Sequence, residues 1–274
     1  MKVAILSDEI STDFETAVEL GISWGLRAFE LRRLGSGRVP RVASSEIEQV
    51  DRLRRGHGLC ITGLSTGLFK IPADHPEVEQ RLAEDLPRAC EIAHPLGTDV
   101  INDFGFRKPP EQGGERGEVA AKECPPRVID LLGRAVDTVA RCGCRFFLEN
   151  EHVCWPDTGA ATARIVRALG RPNLFVNWDP TNAAHPGEVP FPDGYHAVRG
   201  LIAHVHVKDF DPLQGGRIVP PGQGAVNWPA QLRALLADNY RGWLVIETHM
   251  RPRVESSRRC VQALREMLAV LGAT

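Results

Sequence analysis

Eight times along the chain a short apolar run, often rich in β-branched residues, gives way to polar residues and then to a segment with helical spacing. The runs lie at 2–6, 26–31, 59–64, 99–101, 145–148, 174–178, 201–207 and 243–246. Such short runs read as strands, and strands alternating with helices form parallel sheets joined by crossovers. Eight units in 274 residues, near the roughly 250 typical of a closed barrel, predict one (β/α)8 domain over residues 1–274. The link between the sixth and seventh strands is the least regular.

Helix boundaries follow from capping chemistry. Ser11 or Thr12 is expected to cap a helix that Gly21 stops, and a polar-faced helix over 45–55 should end at Gly56. A long helix is expected over 76–94, bent at Pro87. Further helices are expected over 126–142, 158–169, 229–237 and 254–271. Residues 103–124, rich in Gly, Pro and charge, break the rhythm; a loop this long is a lid, a binding loop or an insertion without a role.

Charge and composition exclude several classes. With 33 basic and 35 acidic residues the net charge is −2, so no basic field marks a nucleic-acid binder. No run of about 18 apolar residues predicts a membrane span. The start, MKVAILSDEIS, has too short an apolar core for a secretory signal and serves better as a first strand. Seven irregularly spaced cysteines fit reduced thiols, which points to a cytoplasmic protein. Cys142-Gly-Cys144 reads as a helix end entering a buried strand.

The chemistry gathers at strand ends. In IAHVHVKD, 202–209, Val205 and Val207 alternate with His204, His206 and Lys208, so imidazole, ammonium and carboxylate arrive together. Three other runs stop on an acid: FLEN on Glu149, NWDP on Asp179 and VIET on Glu247. In a barrel all these ends share one face, where active sites lie. Three carboxylates and one imidazole suit one divalent ion, Mn²⁺, Mg²⁺ or Co²⁺, with Zn²⁺ also compatible. Such an ion would polarise a hydroxyketone carbonyl and stabilise an enediolate. Glu149 and Glu247 are then both ligands and proton carriers. Singly, each acid is as well explained by a cap or an ion pair, and Asp179 before Pro180 opens a turn. Glu30 is read as a substrate contact or a partner of Arg32 or Arg33, and Lys208 as a substrate contact or a partner of Asp209. Asn182, His185, His152, Trp155, Trp178 and His249 are expected near the mouth.

Six motifs carry a resemblance over nearly the whole chain: FELR at 29–32, FLEN at 147–150, NWDPTN at 177–182, HVHVKD at 204–209, GQGAVNWPAQLRAL at 222–235 and YRGWLVIE at 240–247. On them the chain resembles the xylose isomerase-like TIM-barrel superfamily, the sugar phosphate isomerase and epimerase group. The resemblance implies a metal held by Glu149, Asp179, His206 and Glu247, with the two glutamates flanking the substrate carbon. It implies a small carbohydrate substrate and admits a homo-oligomer. Asn182 stands where ketose 3-epimerases carry histidine, and Pro212 where they carry arginine. The group also contains inosose dehydratase-like lyases and endonuclease IV, so the fold alone does not choose the reaction. A metal-free barrel that binds sugar without turnover is the reading from a different class.

Overall fold

In the computed structural model, residues 1–109 and 123–273 are described. The expectation for 103–124 falls largely outside them. Eight parallel strands close into a barrel. They are β1 (Lys2–Leu6), β2 (Ala28–Leu31), β3 (Cys60–Ser65), β4 (Val100–Asp103), β5 (Arg145–Glu149), β6 (Leu174–Trp178), β7 (Ile202–Val207) and β8 (Trp243–Ile246). β8 pairs with β1, Lys2 opposite Trp243 and Ile5 opposite Ile246, which completes the ring. All eight expected strands form, with ends moved by one or two residues. A bulge on β7 between the Val176 and Asn177 pairings falls just before His204 and His206, where it can re-aim inward side chains.

Helices wrap the barrel because each lays one apolar stripe on the strands. In the Pro126–Arg141 helix, Val128, Leu131, Leu132, Ala135, Val136 and Val139 are all buried, at the expected spacing. The link from β6 to β7 is irregular as expected, with a short Pro180–Ala184 helix and a Tyr195–Val198 turn of helix.

Several boundaries differ for identifiable reasons. The first long helix is Phe14–Ser23, capped by Asp13, whose carboxylate accepts from the Thr16 N–H, so Ser11 and Thr12 lie outside it. Gly21 does not stop that helix. It lies against Phe29, where an added Cβ would come within 2.6 Å of the ring. The next helix, Ser44–His57, runs through Gly56 and ends at Gly58, the residue with the left-handed φ of 61°. Around Pro87 the helix is not simply bent. A wider-pitched turn, Arg81–Asp85, precedes the Leu86–Ala93 segment, consistent with proline disturbing the preceding turn.

Two short hairpins rise from the C-terminal rim. One joins Arg33–Leu34 to Gly37–Arg38 after β2, and the other joins Asp209–Asp211 to Arg217–Val219 after β7. None of the cysteines is paired; Cys142 caps its helix and Cys144 is buried at the start of β5. Among the described residues no helix is long and apolar enough to cross a membrane.

Candidate metal and active site

The ends of β5 to β8 bring Glu149, Asp179, His206 and Glu247 into one buried cluster. Each offers one atom, and these atoms lie within 4.8 Å of one another. The parallel register forces this meeting: Glu149 pairs with Asn177, Asn177 with His204, and Val245 with His206.

Each side chain is held from behind. Glu149 Oε2 accepts from Asn102 Nδ2 at 3.1 Å and Asn177 Nδ2 at 3.3 Å, leaving Oε1 facing His206 Nδ1 at 3.2 Å. Asp179 caps a helix and faces the cluster at once. Its Oδ1 caps the Pro180–Ala184 helix by accepting from the Asn182 N–H at 2.9 Å, while Oδ2 faces the cluster. Asn150 grips the Asp179 backbone on both sides, donating to its carbonyl at 2.7 Å and accepting from its N–H at 2.8 Å. Behind His206, Nε2 meets Glu30 Oε1 at 3.2 Å; Glu30 Oε2 meets His204 Nε2 at 2.6 Å. With Nε2–H donating to Glu30, the Nδ1 lone pair of a neutral His206 faces Glu149 and Glu247. A carboxylate behind the imidazole is the usual support of a ligating histidine.

His206 Nδ1 faces Glu149 Oε1 at 3.2 Å and Glu247 Oε2 at 3.8 Å, and Asp179 Oδ2 lies beside the Lys208 ammonium. Three carboxylates and one imidazole converging on one buried point are a donor set that fits a hard divalent cation.

The charges are tightly compensated. Lys208 Nζ lies 2.8 Å from both Asp179 Oδ2 and Glu247 Oε2. Burial works against its charge, but Asp179 and Glu247 outweigh burial and hold the ammonium well above its ordinary range. Burial likewise opposes a charged His206, and Glu149 and Glu30 reverse the effect. Burial raises the Asp179 carboxyl, against the pull of Lys208. Glu247 moves the other way, because His249 and Lys208 outweigh burial and hold it well below the usual carboxylate range.

Around the four candidate ligands the expected residues take definite places. Glu30 pairs with neither Arg32 nor Arg33; it is fully buried beneath His204 and His206. Lys208 does not pair with Asp209, whose carboxylate instead accepts the N–H groups of Phe210, Gly222, Gly224 and Val226. Asn182 is buried and donates to the Asn150 carbonyl at 2.9 Å. His185 is exposed at the rim, between His152 at 4.7 Å and Phe210 at 5.2 Å, ring centre to centre. Trp178 is wholly buried.

Other participants join them. His249, expected near the mouth, has Nε2 2.7 Å from Glu247 Oε1, on a backbone with a left-handed φ of 47°. Arg32 spans the mouth, donating to Asp8, to Glu9 Oε1 at 2.6 Å and to Glu247 Oε1 at 2.8 Å, partners that the sequence pattern does not point to. The polar stops after β1 and β4, Ser7-Asp8-Glu9 and Asn102-Asp103, are the sequence signal for Asp8, Glu9 and Asn102.

A family model described as xylose isomerase-like TIM barrel matches residues 18–268. The chain belongs to the xylose isomerase-like TIM-barrel family. A search of the curated proteins finds no match. Among solved structures, the probable 3-DHS dehydratase of Bacillus anthracis superposes with a TM-score of 0.76 at 16% identity, covering 97% of this chain and 99% of that one. The 3-keto-D-glucoside 4-epimerase of E. coli gives 0.73 at 21%, over 98% and 99%. A xylose isomerase-like TIM-barrel protein of Mycobacterium smegmatis in complex with magnesium gives 0.66 at 20%, over 92% and 88%. At these identities the likeness is one of fold.

Proposed function

We propose that the chain is a divalent-metal-dependent isomerase or epimerase of small carbohydrates that works by proton transfer next to a carbonyl. The observation that carries this reading is the meeting of Glu149 and Glu247 with Asp179 and His206 in one buried cluster, with their four donor atoms within 4.8 Å of one another. A bound divalent ion supplies Lewis-acid polarisation of a carbonyl and its neighbouring hydroxyl.

The chain's own residues do the rest. Glu149 and Glu247 come from β5 and β8, on either side of β7, so they reach a substrate carbon from different sides. One removes its proton and the other returns it, as general base and general acid. Asn102 and Asn177 fix the Glu149 carboxylate from behind. Lys208, next to Glu247, holds an oxygen of the substrate and stabilises negative charge as it develops. The relatives named as epimerases act on sugars, in keeping with this substrate class.

A lyase acting on a keto-sugar or keto-inositol is the second reading. His249, beside Glu247 and partly open to solvent, favours it, because loss of a β-hydroxyl needs a proton donor near the base. The first measurement is metal content after Mn²⁺ loading and desalting. About one ion per chain, lost in His206→Ala, is expected. A panel of ketoses in deuterated solvent then separates the reactions: deuterium gain without water loss marks an isomerase or epimerase, and water loss marks a lyase. No retained metal under any loading condition sinks both readings and favours a sugar-binding barrel.

A further inference from the structure

Several cations at the barrel mouth are matched to acids. Arg32 meets Asp8, Glu9 and Glu247; Lys208 meets Asp179 and Glu247; Lys70 meets Glu151; Lys108 meets Asp157. Arg38, on the hairpin after β2, is without such a match among the described residues, where its hydrogen bonds go to Ser65 at the end of β3. Its Nε donates to the Ser65 carbonyl at 3.2 Å, and Nη2 lies 3.5 Å from Ser65 Oγ. Among the described residues no carboxylate lies within ion-pair distance of it, although the side chain is part-buried.

The surroundings are shaped to this guanidinium. It lies over Gly67, where an added Cβ would fall 2.4 Å from Arg38 Cζ. Gly67 has a φ of 63°, so the turn after β3 presents bare backbone to the arginine. Burial disfavours the Arg38 charge, Arg32 adds to the effect, and Asp103, Glu149 and Asp8 are near enough to oppose it only in part. Of the five N–H donors of a guanidinium, Ser65 engages two at most. A sheltered cation with free donors in fork geometry matches a planar or tetrahedral oxyanion.

We propose that Arg38 anchors an anionic group of the substrate, a carboxylate or a phosphate, while the reacting carbon sits between Glu149 and Glu247. This rests on the reading of the site given above and narrows it to acidic carbohydrates or acidic cyclic polyols. A neutral sugar would leave Arg38 without an ion pair to the described residues, whereas an anion gives it the pairing that Arg32, Lys208, Lys70 and Lys108 already have.

The test is calorimetric titration of wild type, Arg38→Gln and Arg38→Lys with three probes: quinate, inorganic phosphate and neutral myo-inositol. Both metal-free and Mn²⁺-loaded protein are used, so that anion binding to the ion is separated from binding to arginine. In both forms quinate or phosphate is expected to bind wild type about tenfold or more tighter than Arg38→Gln, with myo-inositol unchanged. An effect on quinate alone identifies a carboxylate, and one on phosphate alone a phosphate. Arg38→Lys keeps the charge and loses the fork. Should Arg38→Gln not fold, undiminished anion affinity in Arg38→Lys overturns the proposal. So does absence of anion binding to wild type, or an equal loss for myo-inositol. Protein that retains Mn²⁺ but shows no Arg38-dependent anion binding refutes this inference alone. Arg38-dependent binding in protein that retains no metal refutes the isomerase reading instead.

Discussion

The two halves of the barrel contribute to the site in different ways. Strands β5 to β8 carry Glu149, Asp179, His206 and Glu247, all four members of the candidate metal cluster. Strands β1 to β4 and their loops carry none of these, yet they supply Asp8, Glu9, Glu30, Arg32 and Asn102, which hold that cluster in place. One half offers all the donor atoms; their direction and charge are fixed by both, by Glu30, Arg32 and Asn102 from the one and by Asn150, Asn177 and Lys208 from the other. A site this dense in carboxylates needs both, because buried acids without counter-charges would protonate or push apart. The division predicts that damage to the first half stops chemistry in a folded protein, whereas damage to the second is felt in stability and in metal affinity.

The largest expected effect lies in the donor half. Glu149→Gln keeps the shape and the neighbouring amides but removes the proton carrier. Turnover is expected to fall by about 10² to 10⁴-fold, the range for loss of a general acid–base group. Solvent-deuterium incorporation into a ketose substrate measures it, with the unfolding midpoint as a control for folding. Equal losses of turnover and stability would break the division between halves.

Arg32→Met tests the framing half where it is most heavily loaded. The guanidinium, 13% exposed, meets three acids that are themselves almost fully buried. Removing it leaves Asp8 without its cation and thins the counter-charge at Glu9 and Glu247, which keep His249 and, for Glu247, Lys208. Breaking a buried ion pair from one side costs about 3–5 kcal/mol, so urea unfolding of the variant at neutral pH should show a loss of that order. Saturating Mn²⁺ should recover part of it, since the ion adds positive charge beside Glu247. A loss under about 1 kcal/mol, the range for exposed pairs, would mean that Arg32 is not part of the frame.

The same asymmetry governs what could be read from the sequence. The eight strands were legible because each is a short apolar run with a polar stop, a pattern set by neighbours in the chain. Glu149, Asp179, His206 and Glu247 were legible for the same reason: each stands at or just past the end of such a run. Arg32 was not, because its role depends on Glu247, far along the chain and brought close only by closure between β1 and β8. Glu30 stands out as a strand-end acid, read as a substrate contact or a partner of Arg32 or Arg33; the ion-pair alternative fails, because the barrel interior gives it His204 and His206. Helix ends failed where local and tertiary effects compete. Gly21 is small to admit Phe29, not to end a helix, and the true stop after 44–57 is the left-handed Gly58 rather than Gly56.

Glu30→Gln joins the two halves. It keeps an acceptor near His206 Nε2 and His204 Nε2 but removes the charge that orients the imidazole from behind. Loss of such a support typically weakens metal binding by about 10 to 100-fold. Competition with a fluorescent chelator should register the change in Mn²⁺ affinity, while His206→Ala should abolish retention. Unchanged affinity in Glu30→Gln would make Glu30 a packing residue and leave His206 oriented by Glu149 alone.

The smallest effect is expected at the rim, where Glu151 meets both Lys70 and His152. Burial raises this carboxyl, but His152 and Lys70 outweigh burial and bring it down to about 2. A carboxyl held below its ordinary value favours the folded state above the unfolded pKa. That contribution fades as pH falls from roughly 4.5, the unfolded value, towards 2. Lys70 is about one-third exposed, with 34% of its side chain open, so water screens the pair. Lys70→Met should therefore cost under about 1 kcal/mol at pH 7. The difference between variant and wild type should persist to about pH 3 and shrink only as pH falls through about 2, where the folded carboxyl protonates and the interaction that the substitution deletes is lost. Unfolding curves at about pH 7, 3 and 1.5 measure this convergence. A gap that widens with acid would place Lys70 in the charge frame of the buried cluster, alongside Arg32, rather than at its solvated edge.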